Sequence, residues 1–337
     1  LRPQGSGPVT SAPVTGPEPV PDKAADLLVV GAGLGGLHLA AKALRDGTSG
    51  VLLVERAPRV GGSVRTQRSE GFVCELGRPY LPQGEFEALA ACLAAPPRAV
   101  PLAEAARSGQ VLRAGSLEPA EVTEPLVSCR GGLEDLLVAF HRELAPHLRL
   151  GREVTALEPT GDGLVAHLGG EQAAPVRARR AALALPLAEC ARLLAPADAR
   201  VGIARERTLQ VAVARVHLGW WTSELAQVPA GHGIAVEDGA GEGVREVLWC
   251  SNLFSGRSIP GRFLARIEVA GEPAQQDDAA LEATVRGFLA ARGGIERQPV
   301  FRRVHRTTEP RRDSALAELA VRVREAAARW GCIEWVD

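Results

Sequence analysis

Methionine is absent from the 337 residues and the first residue is Leu1, so the sequence reads as a processed or trimmed form. Lysine occurs only at 23 and 42 and asparagine only at 252, while arginine and alanine abound. That bias suits a GC-rich genome and carries no function. Net charge is also missing. The balance is −1, which gives no reason to expect a nucleic acid or an anionic membrane as partner. Arginines cluster at 177, 179 and 180 and at 302, 303 and 306, but without interleaved aromatics they read as solvated faces. No CxxC occurs among the six cysteines (74, 92, 129, 190, 250 and 332), which points to buried free thiols rather than a disulfide frame. The seven histidines lack metal-ligand spacing. His141 and His147 are six apart, wrong for one helical face, and no metal is expected. No apolar run reaches the ~18 residues needed to span a bilayer. The longest candidate, 27–44, contains His38 and Lys42. A cytoplasmic or organellar chain, mitochondrial included, is expected rather than a secreted one.

What is present supports a folded protein. Hydrophobic residues make up 46% and charged residues 23%, enough for a core in one large or two interleaved domains. Residues 1–24 hold six prolines and no periodicity, and read as a disordered lead. Arg2 in that acid-poor stretch is compatible with the remnant of a targeting sequence.

The chain is organised around residues 27–55, LLVVGAGLGGLHLAAKALRDGTSGVLLVE. An apolar strand runs into Gly31, Gly33, Gly35 and Gly36. A helical segment with Leu37, Ala41 and Leu44 on one face follows, then a second apolar strand ending in Glu55. This is a strand–turn–helix–strand unit with an acid ~20 residues past the glycines. Gly31 permits the tight turn, Gly33 lets a pyrophosphate approach the backbone, and Gly36 lets the helix pack on the strand. The helix N-terminus offers free N–H groups and a positive dipole end, each such charge interaction worth ~0.3–1 kcal/mol. Glu55 is placed to accept from a ribose 2′-hydroxyl and disfavours a 2′-phosphate. A glycine-rich turn without ligand is the bland alternative.

Further on, Gly61-Gly62 allow a second close backbone approach, with Arg59 and Arg65 in reach of phosphates. Residues 71–77 read as a short strand, 86–93 as a helix, and 111–117 as a strand or hairpin. Ser128 to Leu133 lead into a helix carrying Leu133, Leu136, Leu137, Phe140 and Leu144. Gly161-Asp162-Gly163 turns one strand back on another, and residues 181–185 make an apolar strand ended by Pro186. Strands are expected over 209–217, 231–236, 247–251, 262–269 and 299–305, and an amphipathic helix over 281–291.

The order of these motifs resembles the FAD-binding amine-oxidase superfamily. The carriers are the glycine triplet, Glu55, Arg59-Val60-Gly61-Gly62-Ser63-Val64-Arg65-Thr66 and Glu75-Leu76-Gly77. Later come Gly131-Gly132-Leu133, Val154 and the strand ending in Pro186. Residues 231–271 look most like the protoporphyrinogen oxidase branch. The resemblance implies an α/β fold, a Rossmann-like FAD-binding domain interleaved with a mixed-sheet α+β substrate domain. The segments would be 25–80 and 126–195 for FAD binding, 81–125 as a shortened substrate-domain piece, 196–305 as the substrate-type sheet, and 306–337 as a truncated return. It implies FAD held by Gly31, Gly33, Leu34, Gly35, Gly36, Glu55, Arg56, Gly61, Gly62, Ser63 and Val154. Two departures stand out. Only 54 positions separate Gly77 from Gly131, too few for the helical substrate- and membrane-associated insertion of that branch. The sequence also ends at Asp337, where the family continues beside the ribityl chain and flavin ring.

Two functions follow from the resemblance. One is an FAD-dependent oxidoreductase passing a hydride from a small organic substrate to flavin, with no obligatory side-chain acid or base and no assigned catalytic residue. His232, Trp249 and Arg257 are candidate pocket residues. The other is a non-catalytic descendant, with or without a bound nucleotide, serving as a scaffold or assembly subunit among protein partners. An NAD-dependent enzyme is a third reading, disfavoured by the second glycine motif.

Overall fold

The computed structural model describes residues 24–170 and 174–336. The proline-rich lead lies outside the described residues except for Ala24, and so does Asp337.

Short apolar runs bounded by turn residues form a parallel sheet that is buried except toward its edges. β1 (Leu27–Val30) lies parallel to β2 (Val51–Val54), with Leu28 opposite Leu52. The connecting helix α1 (Leu34–Arg45) buries Leu37, Ala40 and Ala41 against them. Strands Leu148–Arg149, Ala181–Leu183 and Ile333–Trp335 complete five parallel strands in the order 148–149, β2, β1, 181–183, 333–335. The order reverses between β1 and 181–183. In such sheets ligands bind beyond the carboxyl ends of the strands at that point.

The last strand is delivered by a helix that the spacing does not predict, Ser314–Trp330. Asp313 caps it by accepting from the Leu316 N–H at 3.1 Å, and Gly331 ends it at φ +65°. Leu319, Val323, Ala326 and Ala327 form its buried stripe. A second unpredicted helix, Ala199–Glu206, packs on it. The two are tied by Arg329 donating to Asp198 at 2.9 Å.

The other large unit is a seven-stranded mixed sheet. Its order is Phe301–Pro310, Gln210–Trp221, Arg262–Ala270, Val244–Leu248, Gly233–Val236, Ser108–Arg113 and Ser116–Glu121. Segment 81–125 supplies the last two strands as a hairpin, joined in parallel to 233–236. Period-2 alternation gives this sheet two different faces. Ala214, Val216, Leu218 and Trp220 point into an apolar core with Phe263, Ala265 and Ile267, the buried Val, Leu, Ile and Phe side chains contributing ~1.5–3 kcal/mol each. Helix Asp278–Phe288, capped by Asp277, covers that core and continues in one wide turn, Leu289–Gly293. It starts three residues earlier than the periodicity alone suggests, because the cap sets its start. The strand expected over 299–305 runs on to Pro310, since it pairs along Gln210–Trp221 as far as Gln210.

The opposite face, carrying Arg215, His217, Arg266 and Glu268, looks toward the parallel-sheet half. There Arg215 donates to the Leu76 carbonyl at 3.5 Å and Arg266 to the Gly77 carbonyl at 3.3 Å. No helix among the described residues is long and apolar enough to cross a membrane.

Candidate nucleotide site

The two glycine motifs are one object in space. Gly31 turns at φ +100°, and a Cβ there would lie 2.3 Å from the Ala184 carbonyl oxygen. A Cβ on Gly36 would lie 1.9 Å from the Gly31 carbonyl oxygen, so helix and turn touch backbone to backbone. At Gly33 the space is open, with nothing within 4 Å. The second motif docks on the first: the Gly61 N–H donates to the Ala32 carbonyl at 2.7 Å, Gly33 and Gly61 form a bridge, and a Cβ on Gly62 would come within 3.2 Å of the Gly33 α-carbon.

Arg59 holds this second turn. Its guanidinium donates to the carbonyls of Val60 at 3.0 Å, Gly62 at 3.1 Å and Val64 at 3.5 Å. The expectation that Arg59 reaches a phosphate gives way to an internal clamp. Three backbone acceptors are closer to hand, and a guanidinium spends its donors where they are pre-formed.

Glu55 closes the rim. Its carboxylate accepts from the Ala32 N–H and the Ala57 N–H, both at 2.8 Å. Each oxygen keeps a lone pair, so ribose hydroxyls can still be accepted. No side chain caps α1 and no acid sits in its first turn, leaving the positive dipole end open toward Gly33.

These groups surround a cavity of about 450 Å³. Gly31, Gly33, Glu55, Arg56, Gly62, Ser63 and Val154 line it, together with Ala57, Arg152, Glu153, Ala184, Leu185, Pro186, Glu189 and Arg192. Leu34, Gly35, Gly36 and Gly61 are not among the lining residues. Gly36 and Gly61 shape the turns behind it, and Leu34 starts α1 and packs on the core.

The far end carries polar groups that spacing alone did not single out. Arg192 donates to the Thr155 and Val154 carbonyls, both at 3.1 Å, and to Glu153 at 3.3 Å and Glu189 at 3.0 Å. Arg56 lies 3.7 Å from the same Glu189. Glu189 and Arg192 look like an ordinary i,i+3 surface pair in sequence. Only the fold brings them beside Glu55.

The three pocket candidates do not meet at this cavity. Trp249 is a core residue against Phe263, with ring centroids 5.9 Å apart. His232 is half-buried beside Gly109, whose missing Cβ would sit 2.1 Å from the ring. Arg257 is buried at the joint between the two halves. It donates to the Cys129 carbonyl at 3.0 Å and to Ser128 Oγ, and lies 3.5 Å from Glu75. Burial pushes the Glu75 carboxyl up, against the pull of Arg257, Thr66 and the Leu133 N–H.

The sheet face opposite is an ion-pair lattice. Arg215 pairs with Glu268 at 3.0 Å and with Glu309, and Arg266 with Glu268 at 3.0 Å and Glu246 at 3.2 Å. His217 lies fully buried beside Arg266, and burial first, then that cation, holds its pKa well down, so the ring is neutral.

Residues 29–95 match the family model described as an NAD(P)-binding Rossmann-like domain. Solved structures resemble nearly the whole chain. A protein provisionally named a protoporphyrinogen oxidase, from Exiguobacterium sp., shares 16% identity over 93% of this chain and 94% of its own, with a TM-score of 0.74. Reduced UDP-galactopyranose mutase shares 13% over 92% and 88%, with a TM-score of 0.71. Cyclohexylamine oxidase from Brevibacterium oxydans shares 14% over 93% of each chain, with a TM-score of 0.68. At these identities the likeness is one of fold. It is the expected one, a Rossmann-like domain with a mixed sheet, matching FAD-dependent oxidoreductase folds.

Proposed function

We propose that this chain binds FAD and works as an oxidoreductase on a small organic substrate, in the manner of the amine and protoporphyrinogen oxidases whose fold it shares. The observation that carries the reading is the docking of Gly61-Gly62 onto Gly31–Gly33 around one cavity with Glu55 at its rim. The residues fit the ADP half of the cofactor. Gly33 leaves room for a pyrophosphate, the uncapped α1 N-terminus supplies positive potential, and Glu55 keeps acceptors for ribose. Flavin, when bound, supplies the hydride acceptor. Arg59 keeps the second turn in shape, and Val64 and Leu137 keep its underside dry.

The scaffold reading has its own support. Arg215 and Arg266 tie the sheet to Leu76 and Gly77 with their charges mutually satisfied. Such a self-paired face suits a rigid joint as well as a substrate wall. The deciding experiment is optical. Purified protein is examined for bound flavin, reconstituted with FAD, and mixed anaerobically with amines or porphyrinogens. Bleaching supports the oxidoreductase. Bound flavin that none of them bleaches supports the scaffold, and failure to take up FAD sinks the oxidoreductase and leaves a scaffold without flavin.

A further inference from the structure

We propose that Arg152 is a ligand-contacting residue of the nucleotide cavity, its guanidinium laid against the adenine ring; this rests on the FAD reading above. The cavity wall carries three arginines and three glutamates, Arg56, Arg152, Arg192, Glu55, Glu153 and Glu189. Five of these six have partners within the protein. Arg192 serves Glu189, Glu153 and two carbonyls, Arg56 faces Glu189, and Glu55 is taken by two N–H groups. Among the described residues the Arg152 side chain has no hydrogen bond or ion pair, although it is partly buried on the wall.

Its backbone is fixed. The Arg152 N–H donates to the Glu55 carbonyl at 2.9 Å, and the Gly151 N–H to the Ala57 carbonyl at 3.0 Å. The side chain is therefore rooted beside the ribose acid and two residues before Val154, at the end away from Gly33. Phosphate at the other end is served by backbone N–H groups and the helix dipole. What remains at this end is a flat, apolar-faced base. A guanidinium is planar and weakly hydrated, and stacks on ring faces as an ammonium does not. The Glu55 carboxylate beside it disfavours the other role open to a free arginine here, reading a 2′-phosphate.

The test uses the full chain with ADP and FAD as probes, with R152A and R152K beside wild type. Dissociation constants are taken at low and high salt, and thermal midpoints without nucleotide. R152A is expected to weaken ADP and FAD alike by about 10-fold. R152K should lose nearly as much, the ratio should survive added salt because stacking is not screened, and the nucleotide-free midpoints should stay together. Unchanged affinity in R152A overturns the proposal. So does full affinity in R152K, a loss that salt abolishes, or tighter binding of ADP bearing a 2′-phosphate than of ADP. Wild type that takes ADP but not FAD refutes the FAD reading and still tests Arg152 through ADP. Wild type that takes neither refutes both.

Discussion

Arg257, on the loop after the short helix Cys250–Leu253, lies 3.5 Å from Glu75, the last residue of a strand in the other half, with both side chains buried. Removing one partner leaves the other charge stranded, which typically costs ~3–5 kcal/mol. R257A is expected to lose stability of that order in denaturant melts, and R257M paired with E75Q much less than the two singles summed. Additive losses would show that the two side chains do not interact.

The same pair carries a pH signature. The Glu75 pKa is raised in the folded protein, mainly by burial, so the folded state holds its proton longer than the unfolded chain. Its contribution is therefore most favourable at low pH and is lost as pH climbs from about 4.3 through the raised value. E75Q, which cannot ionise, should flatten that limb of the stability profile. A profile identical to wild type, measured by denaturant midpoints across pH, would contradict the raised pKa.

Glycines 33 and 36 should behave oppositely when changed to alanine. A Cβ on Gly36 meets the Gly31 carbonyl oxygen at 1.9 Å, so G36A should cost ~1–3 kcal/mol or more of fold stability. A Cβ on Gly33 meets nothing, so G33A should melt like wild type and lose nucleotide affinity instead, because the methyl enters the cavity. Thermal melts with FAD titration separate the two. A G33A protein with wild-type affinity would mean that no phosphate approaches there.

That contrast marks how far the sequence could be read. Strand, turn, helix and acid over 27–55 are local, and period and glycine placement expose them. The far wall is not local. Arg192 reaches Val154 from 38 positions away, and only the docking of helix Leu187–Leu194 onto the strand puts it there. Helix Ser314–Trp330 escaped because two of its four buried positions are alanine, giving little contrast with an alanine-rich chain. Arg59 was legible as a cation beside a phosphate motif, but its aim depends on the carbonyls of a turn whose Gly61 and Gly62 both sit at positive φ.

The thiols should be inert. Burial pushes Cys129, Cys190 and Cys250 up to about 12 and Cys74 higher still, so almost no thiolate exists near neutrality. Cys332 is the one of the six that is not fully buried. A chromogenic thiol reagent should react slowly with native protein, at Cys332 first, and with all six groups after denaturation. Rapid labelling of Cys74 and Cys250 together in the native state would show that the packing between the halves opens.

Arg59 offers the sharpest separation of a positioning residue from a ligand contact. If its guanidinium holds the turn through Val60, Gly62 and Val64, R59A frees a loop that must present Gly62 and Ser63 to the cavity. Affinity for FAD should then fall, and R59K should not restore it, because the compact ammonium lacks the forked guanidinium donors that reach the three carbonyls. The loss should be nearly independent of salt, and backbone amide exchange across 60–64 should rise even without nucleotide. Had Arg59 met the pyrophosphate, R59K would recover much of the binding, added salt would shrink the difference, and exchange in the free protein would not move. Salt series and amide exchange on R59A and R59K therefore decide between clamp and contact without any assay of turnover.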